Sequence, residues 1–298
     1  MSPTPPRVLT LYPPAKINLG LHVLGRRPDG YHDVRTVLQK LALRDRVTLT
    51  LRPRGLRVWC SHPDVPDGSS NLAYRAAKRL LRAAGGAGGA AGLSVYIEKR
   101  IPVAAGLGGG SADAAAVLFG LNALLRLGRS GDYLAKVAAE LGADVPFFLG
   151  GPCALAEGKG ERLSALKARP PTPVVIVKPP FSVSAAWAYG ALNSGLTGPP
   201  AKPKMSYRTP RISGLPGGWD MLRNDLEKGV VEVHPIVGEL KAELRRLGAD
   251  FALMSGSGPT VFGWFSDVRR ARRAARSLLG SGIDSRLTRT LGAQDRMF

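Results

Sequence analysis

A glycine-rich segment between a strand pattern and a helix pattern places the strongest constraint on how this chain can fold. Residues 93–97 read Leu-Ser-Val-Tyr-Ile, residues 106–111 read Gly-Leu-Gly-Gly-Gly-Ser, and an alanine-rich apolar run follows over residues 112–125. Glycine permits positive φ and lets the backbone approach a ligand closely. The first turn of a helix also leaves its N–H groups free. The pattern therefore predicts a strand, a loop and a helix that begins near Ser111, with the loop amides arranged around a phosphate.

This segment differs from two familiar phosphate-binding loops. No Gly-Lys-Ser/Thr follows it, as in a P-loop, and Ser111 occupies the position of the third glycine in a dinucleotide fingerprint. An ordinary turn without a ligand is equally compatible with the glycine content alone. The Ser111 hydroxyl is expected either to cap the helix or to reach a phosphate or a metal ion.

The length of the chain bears on the number of domains, and its net charge bears on the kind of partner it binds. The 298 residues, 44% of them hydrophobic, suffice for one large domain or two domains with their own cores. A net charge of +20 suggests an anionic partner, either nucleic acid or a phosphorylated small molecule. The basic residues are scattered, however, and a solvated basic surface explains them as well.

Nothing in the sequence indicates secretion or a membrane. Cys60 and Cys153 are isolated and form no metal-binding spacing. Residues 1–14 lack the apolar core of a signal peptide, and no apolar run approaches the length of a membrane span. We therefore expect a cytoplasmic protein.

Residues 15–24 alternate between apolar and other side chains, which predicts a strand. Ile17 and Leu19 would lie on one face, and Lys16 and Asn18 on the other. Such a strand can present Lys16 and Asn18 to one cleft. An ordinary half-solvated strand gives the same pattern.

Further strands are predicted over residues 7–12, 46–52 and 56–60. The strand over residues 56–60 is expected to pair with the strand over residues 46–52. Asn71 and the serines before it predict the N-cap of a helix over residues 72–84. The glycine- and alanine-rich residues 85–92 are predicted to form a flexible turn.

Asp144 stands in an apolar context between glycines. A partly desolvated carboxylate is costly unless it is paired or used in chemistry. The alternative is that Asp144 caps a short helix that has Pro146 in its first turn. Both interpretations can hold at once.

The rest of the chain predicts alternating helices and strands, with a domain boundary between residues 156 and 172. Residues 195–218 are rich in Pro, Lys and Arg and are predicted to form a long loop. Helices are predicted over residues 132–141, 184–192, 235–247 and 268–279, and a further helix begins near residue 224. Strands are predicted over residues 174–177, 251–254, 261–265 and 285–290.

Five motifs in order resemble those of the GHMP small-molecule kinases, which include galactokinase, homoserine kinase and mevalonate kinase. They are Pro-Ala-Lys-Ile-Asn-Leu at 14–19, Asp-Gly-Tyr-His at 29–32, the 106–111 loop, Gly-Ala-Asp-Val-Pro at 142–146 and Met-Ser-Gly-Ser-Gly at 254–258. The resemblance covers nearly the whole chain. It implies an α+β fold of two domains, with an ATP-binding domain like ribosomal protein S5 domain 2 over residues 1–156 and a ferredoxin-like domain over residues 157–298. The active site would lie in the cleft between them.

Within this family, the 29–32 turn and the 142–146 segment resemble the members that phosphorylate a cytidyl diphosphate sugar alcohol in isoprenoid precursor synthesis. The resemblance implies ATP and Mg²⁺ as cofactors and the Asp144 and Lys16 pair as the catalytic residues. Substrate binding would involve Asn18, Tyr31, His32, Asp144 and Tyr189, with the two tyrosines stacking on the cytosine and His32 hydrogen-bonding to it. The implied nucleotide-binding residues are Asn71, Lys99, Pro102, Ala104, Ala105, Gly106, Leu107, Gly108, Gly109, Gly110 and Ser111, and Ser111 is the one candidate next to the metal.

Two alternatives remain at this point. The first is another GHMP kinase, acting on an alcohol such as homoserine or mevalonate, although these small substrates have no base for Tyr31 to stack on. The second is an RNA-binding protein with an S5-like domain, which the charge of +20 suggests. We expect a small-molecule substrate, no nucleic acid or membrane partner, and a monomer or weak homodimer.

Overall fold

The computed structural model describes residues 8–83, 92–193 and 222–298, which form three four-stranded sheets. The predicted loop over residues 195–218 and residues 85–91 of the predicted turn lie outside the described residues. In the part that is described, no helix is long and apolar enough to cross a membrane.

The first sheet has the strand order β1 (Val8–Leu11), β4 (Arg46–Arg52), β6 (Gly92–Glu98) and β5 (Leu56–Cys60). The prediction that β5 pairs with β4 is wrong, because β6 lies between them and pairs with β5 in parallel. The physical reason is the helix between β5 and β6. Helix α1 (Leu72–Ala83) returns the chain across the sheet, and this connection produces a parallel pair.

Helix α1 and three further helices form the first core with this sheet: α2 (Gly109–Leu124), α3 (Gly131–Leu141) and α4 (Val145–Leu149). Small side chains bring α2 close to the strands. A Cβ atom at Gly120 would lie 2.8 Å from the Leu11 side chain and 3.2 Å from that of Leu49. The small side chains of this sequence therefore allow the helix after the glycine-rich loop to pack closely against the first sheet.

The second sheet has the order β2 (Pro14–Arg26), β3 (His32–Arg44), β7 (Cys153–Gly158) and β8 (Arg162–Ala165). Lys16 and Asn18 on β2 are each only 4% exposed. The half-solvated interpretation of this strand is therefore wrong, and its polar face is enclosed as well as its apolar face. A buried ammonium and a buried amide require polar partners, which the site provides.

The third sheet is antiparallel throughout, with the order β10 (Phe251–Met254), β11 (Val261–Trp264), β9 (Pro173–Val177) and β12 (Ser285–Arg289). It packs with the last four helices, which are α5 (Ala185–Asn193), α6 (Glu227–Val233), α7 (Ile236–Arg246) and α8 (Val268–Gly280). On α8 the residues Ala271, Ala274 and Leu278 are buried.

A further core joins the second and third sheets. Ile17 and Leu19 of β2 belong to the same buried cluster as Ile176 of β9 and Phe262 of β11. The predicted division at residue 156 falls within β7. The extents 1–156 and 157–298 stay a prediction.

Candidate active site

The glycine-rich loop ends at Gly108, and the helix after it begins at Gly109, two residues earlier than predicted. Gly108 adopts the left-handed conformation with a φ of 71° and is the N-cap of α2, which begins at Gly109. The capping role predicted for Ser111 is therefore wrong, because Ser111 already lies inside the first turn. The N–H groups of this first turn have no partner within the helix, which suits an anion.

A cavity of about 370 Å³ lies along this loop. Two predicted nucleotide-binding residues outside the loop, Asn71 and Lys99, also line the cavity. Asn71 caps α1 as predicted, because its side-chain oxygen accepts a hydrogen bond of 2.8 Å from the N–H of Ala73. The predicted loop residues that line it are Pro102, Ala104, Ala105, Gly106, Leu107, Gly108, Gly109, Gly110 and Ser111.

Lys99 reaches beneath the loop and joins two buried carboxylates. Its ammonium pairs with Asp45 and lies 2.9 Å from Asp113 Oδ2. Burial lowers the pKa of Lys99, but the charges of Asp113 and Asp45 have the larger combined effect. The pKa of Lys99 is therefore raised above its ordinary value. Burial raises the pKa of Asp113 to about 7 against the opposing charge of Lys99. Lys99 thus supports the loop in addition to lining the cavity along it.

Asp45 fixes the start of the loop, and sequence reasoning did not identify it. Its Oδ1 atom accepts hydrogen bonds from the backbone N–H groups of Arg100, at 2.6 Å, and Ile101, at 2.8 Å. Asp45 lies between β3 and β4, more than 50 residues before its partners. No local pattern at an isolated Asp indicates such a contact.

Lys16 and Asp144 form an ion pair beside the glycine-rich loop, with 3.3 Å between Nζ and Oδ2. Lys16 also donates a hydrogen bond of 2.7 Å to Asn18 Oδ1, and the Asn18 amide donates one of 2.9 Å to Thr36 Oγ1. Asp144 stands at the N-cap of α4 but makes no side-chain capping bond. The predicted N-cap position and the place of Pro146 in the first turn are therefore confirmed, but the carboxylate, whose side chain is 37% exposed, is directed to Lys16.

The Ser-Gly-Ser-Gly turn after β10 contacts the loop from the other half of the chain. Ser255 Oγ donates a hydrogen bond of 3.0 Å to the Gly106 carbonyl and accepts one of 3.3 Å from the Asn18 N–H. Gly106 has a φ of 73°, and any Cβ atom there would overlap the Ser255 carbonyl oxygen. Only glycine fits at this contact.

Asn224 fixes that turn, a role that no sequence pattern indicated. Its side-chain amide donates hydrogen bonds of 2.9 Å to the Met254 carbonyl and 2.7 Å to the Gly256 carbonyl. Asn224 is buried and also forms a bridge with Leu21 of β2. The partners are backbone atoms, which no residue pattern specifies.

A second, larger cavity of about 650 Å³ adjoins the first. Gly106, Gly108 and Ser111 line both cavities. The second cavity is lined by the catalytic candidate Lys16 and by all the residues predicted to bind the phosphate acceptor, which are Asn18, Tyr31, His32, Asp144 and Tyr189. The ion pair of Lys16 and Asp144 lines the second cavity, and the Lys16 side chain packs against Gly108, which lines both.

Aromatic side chains also line this cavity. The rings of His32 and Tyr189 are stacked, with 5.0 Å between centroids and 19° between planes. Tyr31 is exposed, and the Lys159 ammonium lies 4.7 Å from its ring centroid. Burial, followed by the charge of Asp144, raises the pKa of Tyr189 to about 12, so this phenol stays neutral. Lys159 also lines the cavity, and sequence reasoning missed it.

Comparison with protein families gives two matches. Residues 71–152 match the GHMP kinases N terminal domain, and residues 217–283 match the GHMP kinases C terminal domain. A protein of Geobacter metallireducens, named 4-diphosphocytidyl-2-C-methyl-D-erythritol kinase, is 49% identical over 92% of this chain and 95% of its own length. A protein of the same name from a Synechococcus species is 47% identical over 90% of this chain and 89% of its own length.

Solved structures show the same relationship. A crystal structure of a 4-(cytidine 5'-diphospho)-2C-methyl-D-erythritol kinase has a TM-score of 0.77 and 38% identity, and covers 96% of this chain and 100% of that one. A homoserine kinase from Cytophaga hutchinsonii has a TM-score of 0.68 at 17% identity, covering 98% of this chain and 97% of its own. The homoserine kinase shares the fold only.

Proposed function

This chain belongs to the GHMP kinase family and, within it, to the 4-diphosphocytidyl-2-C-methyl-D-erythritol kinases, and we propose that it transfers the γ-phosphoryl group of ATP to the 2-hydroxyl of 4-diphosphocytidyl-2-C-methyl-D-erythritol. It is a phosphotransferase with an alcohol as acceptor, of the isoprenoid precursor pathway. The family supports ATP as the phosphoryl donor.

One observation carries the assignment of roles in the site. The Lys16 and Asp144 ion pair lines the cavity of Tyr31, His32 and Tyr189, and Lys16 packs against Gly108, which also lines the cavity along the glycine-rich loop. A kinase for two anionic substrates requires this arrangement, since the γ-phosphoryl group and the hydroxyl must meet in line. ATP would lie along the loop, and the acceptor would approach from the side of Lys16 and Asp144.

Asp144 would accept the proton of the attacking hydroxyl. Its carboxylate is partly exposed to the larger cavity, where the acceptor would lie, and the ion pair with Lys16 holds it in place. The Lys16 ammonium, which also donates to Asn18, would offset negative charge on the transferred group. Alignment and charge neutralisation supply most of the rate in phosphoryl transfer, and the proton acceptor adds to them.

A magnesium ion fits this site as a companion of ATP. Among the residues that the structure describes, no group of three or more His, Cys, Asp or Glu side chains forms a metal-binding cluster. Mg²⁺ usually takes one or two protein ligands and otherwise phosphate oxygens and water. The Ser111 hydroxyl, which borders both cavities, would be the protein group beside it, and the ion would neutralise phosphate charge when bound.

The cytosine end of the acceptor would lie among the aromatic side chains. Tyr31 offers an exposed ring face for stacking, and His32 and Tyr189 form a stacked pair on the same cavity wall. Homoserine and mevalonate have no base to use these rings. We further propose that the chain needs neither nucleic acid nor a membrane, that it acts in the cytoplasm and that it is a monomer or weak homodimer.

The test is coupled ADP release from the purified chain with ATP and Mg²⁺, offered 4-diphosphocytidyl-2-C-methyl-D-erythritol, mevalonate or homoserine. We expect turnover with the cytidyl substrate alone and one new phosphate monoester in the ³¹P NMR spectrum of the product. Turnover with mevalonate or homoserine would contradict the proposal. Salt-sensitive RNA binding without turnover would do so as well.

A further inference from the structure

Lys40 is a fully buried lysine for which the mechanism above has no use. Its exposed fraction is 0%. Within the described residues, no carboxylate lies at ion-pair distance from its ammonium. The ammonium instead donates hydrogen bonds to two backbone carbonyls, those of Phe148 at 3.0 Å and Gly150 at 2.8 Å. The Met297 sulfur, 3.5 Å from the ammonium, is a further weak acceptor. A buried ammonium without a counter-charge is costly, and these contacts compensate for that cost.

The two carbonyls belong to the end of α4, the short helix that Asp144 precedes. Phe148 lies in the last turn, and Gly150 is the C-cap. The last carbonyls of a helix have no partner within it. A helix of five residues also has little stability of its own and depends on tertiary contacts. The Lys40 ammonium therefore satisfies the carbonyl of the buried Phe148 and that of Gly150, neither of which has a partner within the helix.

Lys40 stands opposite Lys16 in the ladder between β2 and β3. Side chains of directly opposite residues leave the sheet on the same face, so both lysines point towards α4. The Lys16 ammonium lies 3.3 Å from Asp144 at the start of the helix, and the Lys40 ammonium contacts the end. One pair of neighbouring strands thus holds both ends of the helix.

The rings of α4 extend this contact to the glycine-rich loop. The Lys40 ammonium lies 5.1 Å from the Phe147 ring centroid and 5.9 Å from that of Phe148, within the range of a cation–π contact. A Cβ atom at Gly108 would lie 2.9 Å from the Phe148 ring and 3.0 Å from the Lys16 side chain. A displacement of α4 would therefore change the spacing between Asp144, Lys16 and the loop.

We propose that Lys40 is a positioning residue for phosphoryl transfer, which holds the last carbonyls of α4 and so keeps Asp144 against Lys16 at the end of the glycine-rich loop. The inference rests on the proposed function for its catalytic consequence. The contact between Lys40 and α4 can be tested without turnover. Neither ligand-binding surface is lined by Lys40 itself, so its effect would pass through α4.

The test compares Lys40→Met, which keeps the length of the side chain but cannot donate, with Lys40→Arg, which keeps the donors. For Lys40→Met we expect kcat to fall about 10-fold or more, because a small misplacement of a reacting group is costly in rate. The KM for ATP and for the cytidyl substrate should stay within about threefold. Lys40→Arg should recover most of the lost kcat.

Leu278→Ala on α8 serves as the matched control, since it removes buried volume far from α4. It should lower the melting temperature and leave kcat within about twofold. Hydrogen exchange is followed in the peptide 143–151, where Lys40→Met should exchange at least about 10-fold faster than wild type and Leu278→Ala should not.

Wild-type kcat in a folded Lys40→Met enzyme would overturn the proposal. Equal loss of kcat in folded Lys40→Met and Lys40→Arg enzymes would do the same, since the donors would then be irrelevant. If the wild-type chain fails to phosphorylate the cytidyl substrate, the proposed function is wrong. In that case the hydrogen-exchange measurement still tests whether Lys40 holds α4. Unchanged exchange over residues 143–151 in Lys40→Met would show that it does not.

Discussion

Asp45 and Ile101 are joined by a hydrogen bond of 2.8 Å from the Ile101 N–H to the Asp45 carboxylate, at the point where the chain enters the glycine-rich loop. The other oxygen of Asp45 pairs with Lys99, which also pairs with Asp113 early in α2. One buried chain of charged groups therefore ties the start of the loop to the helix that follows it. The Arg100 N–H donates to the same Asp45 oxygen.

The first prediction concerns Asp45→Asn. Removing one member of a buried ion pair costs roughly 3–5 kcal/mol. A neutral amide oxygen also accepts from the N–H groups at the start of the loop less strongly than a carboxylate does. We expect a lower melting temperature and a KM for ATP that rises about 10-fold, a change of about 1.4 kcal/mol in binding free energy. The KM for the cytidyl substrate should change less than twofold, because Asp45 does not line that cavity. Steady-state kinetics with each substrate varied in turn measures this difference.

Asp132→Asn is the matched control, because Asp132 is exposed at the start of α3. It should leave both KM values and the melting temperature close to wild type. An Asp45→Asn enzyme with an unchanged KM for ATP would show that the loop keeps its shape without this carboxylate.

The second prediction concerns the ion pair of Lys16 and Asp144. Asp144→Asn removes the proposed proton acceptor and Lys16→Met removes its cationic partner, so each should lower kcat by about 100-fold or more. Because the two groups act together, Lys16→Met/Asp144→Asn should lose much less than the product of the two single losses. Rapid-quench measurement of phosphoryl transfer at saturating substrates separates this step from product release. Fully multiplicative losses would mean that the two side chains act independently.

The sequence predicted the chemistry of the site better than it predicted the supports of that chemistry. Lys16, Asn18 and Asp144 lie in local patterns, an alternating strand and a segment between glycines, and they meet in one cavity. Asp45, Lys40 and the other supporting residues bind backbone atoms or charges distant in sequence. Nothing local marks such a residue, because its partner is defined only by the fold.

The same reason explains the differences in the fold. Strand β3 (His32–Arg44) has a mixed polar and apolar pattern, since it is buried between β2 and β7 and carries side chains such as Lys40 whose partners lie in a helix. Strand β5 was paired with its neighbour in sequence, whereas the helix between β5 and β6 brings these two strands together. Periodicity identifies elements well, but the order of strands depends on packing.

The third prediction concerns the contact between Gly106 and Ser255. Gly106→Ala places a methyl group on the Ser255 carbonyl at a φ of 73°, so the loop and the turn after β10 must separate. We expect a loss of stability of about 2 kcal/mol, within the range for strained backbone positions, and a fall in kcat/KM for both substrates. Gly131→Ala is the matched control, since nothing lies within 4 Å of its added Cβ. It should be neutral or slightly stabilising, and equal effects of the two substitutions would contradict the close contact.

The fourth prediction concerns the pH dependence of stability. Burial, followed by the charge of Arg44, lowers the pKa of Lys40 from 10.5 to about 7. In the unfolded chain Lys40 keeps its proton up to about pH 10.5, whereas in the folded protein it loses the proton near pH 7. Between these values the unfolded state binds one more proton, so this group makes the free energy of unfolding rise with pH.

Lys40→Met has no such group, and the difference in unfolding free energy between wild type and this variant isolates the contribution of Lys40, because every other titrating group is present in both. We expect the wild type to gain about 1.4 kcal/mol per pH unit relative to Lys40→Met between pH 7.5 and 9. Below pH 6 the difference should be constant, since Lys40 is then protonated in both states. Urea unfolding at half-unit pH intervals measures it. A difference that stays flat up to pH 9 would mean that Lys40 remains charged in the folded protein, held by the carbonyls of Phe148 and Gly150 more strongly than burial opposes it.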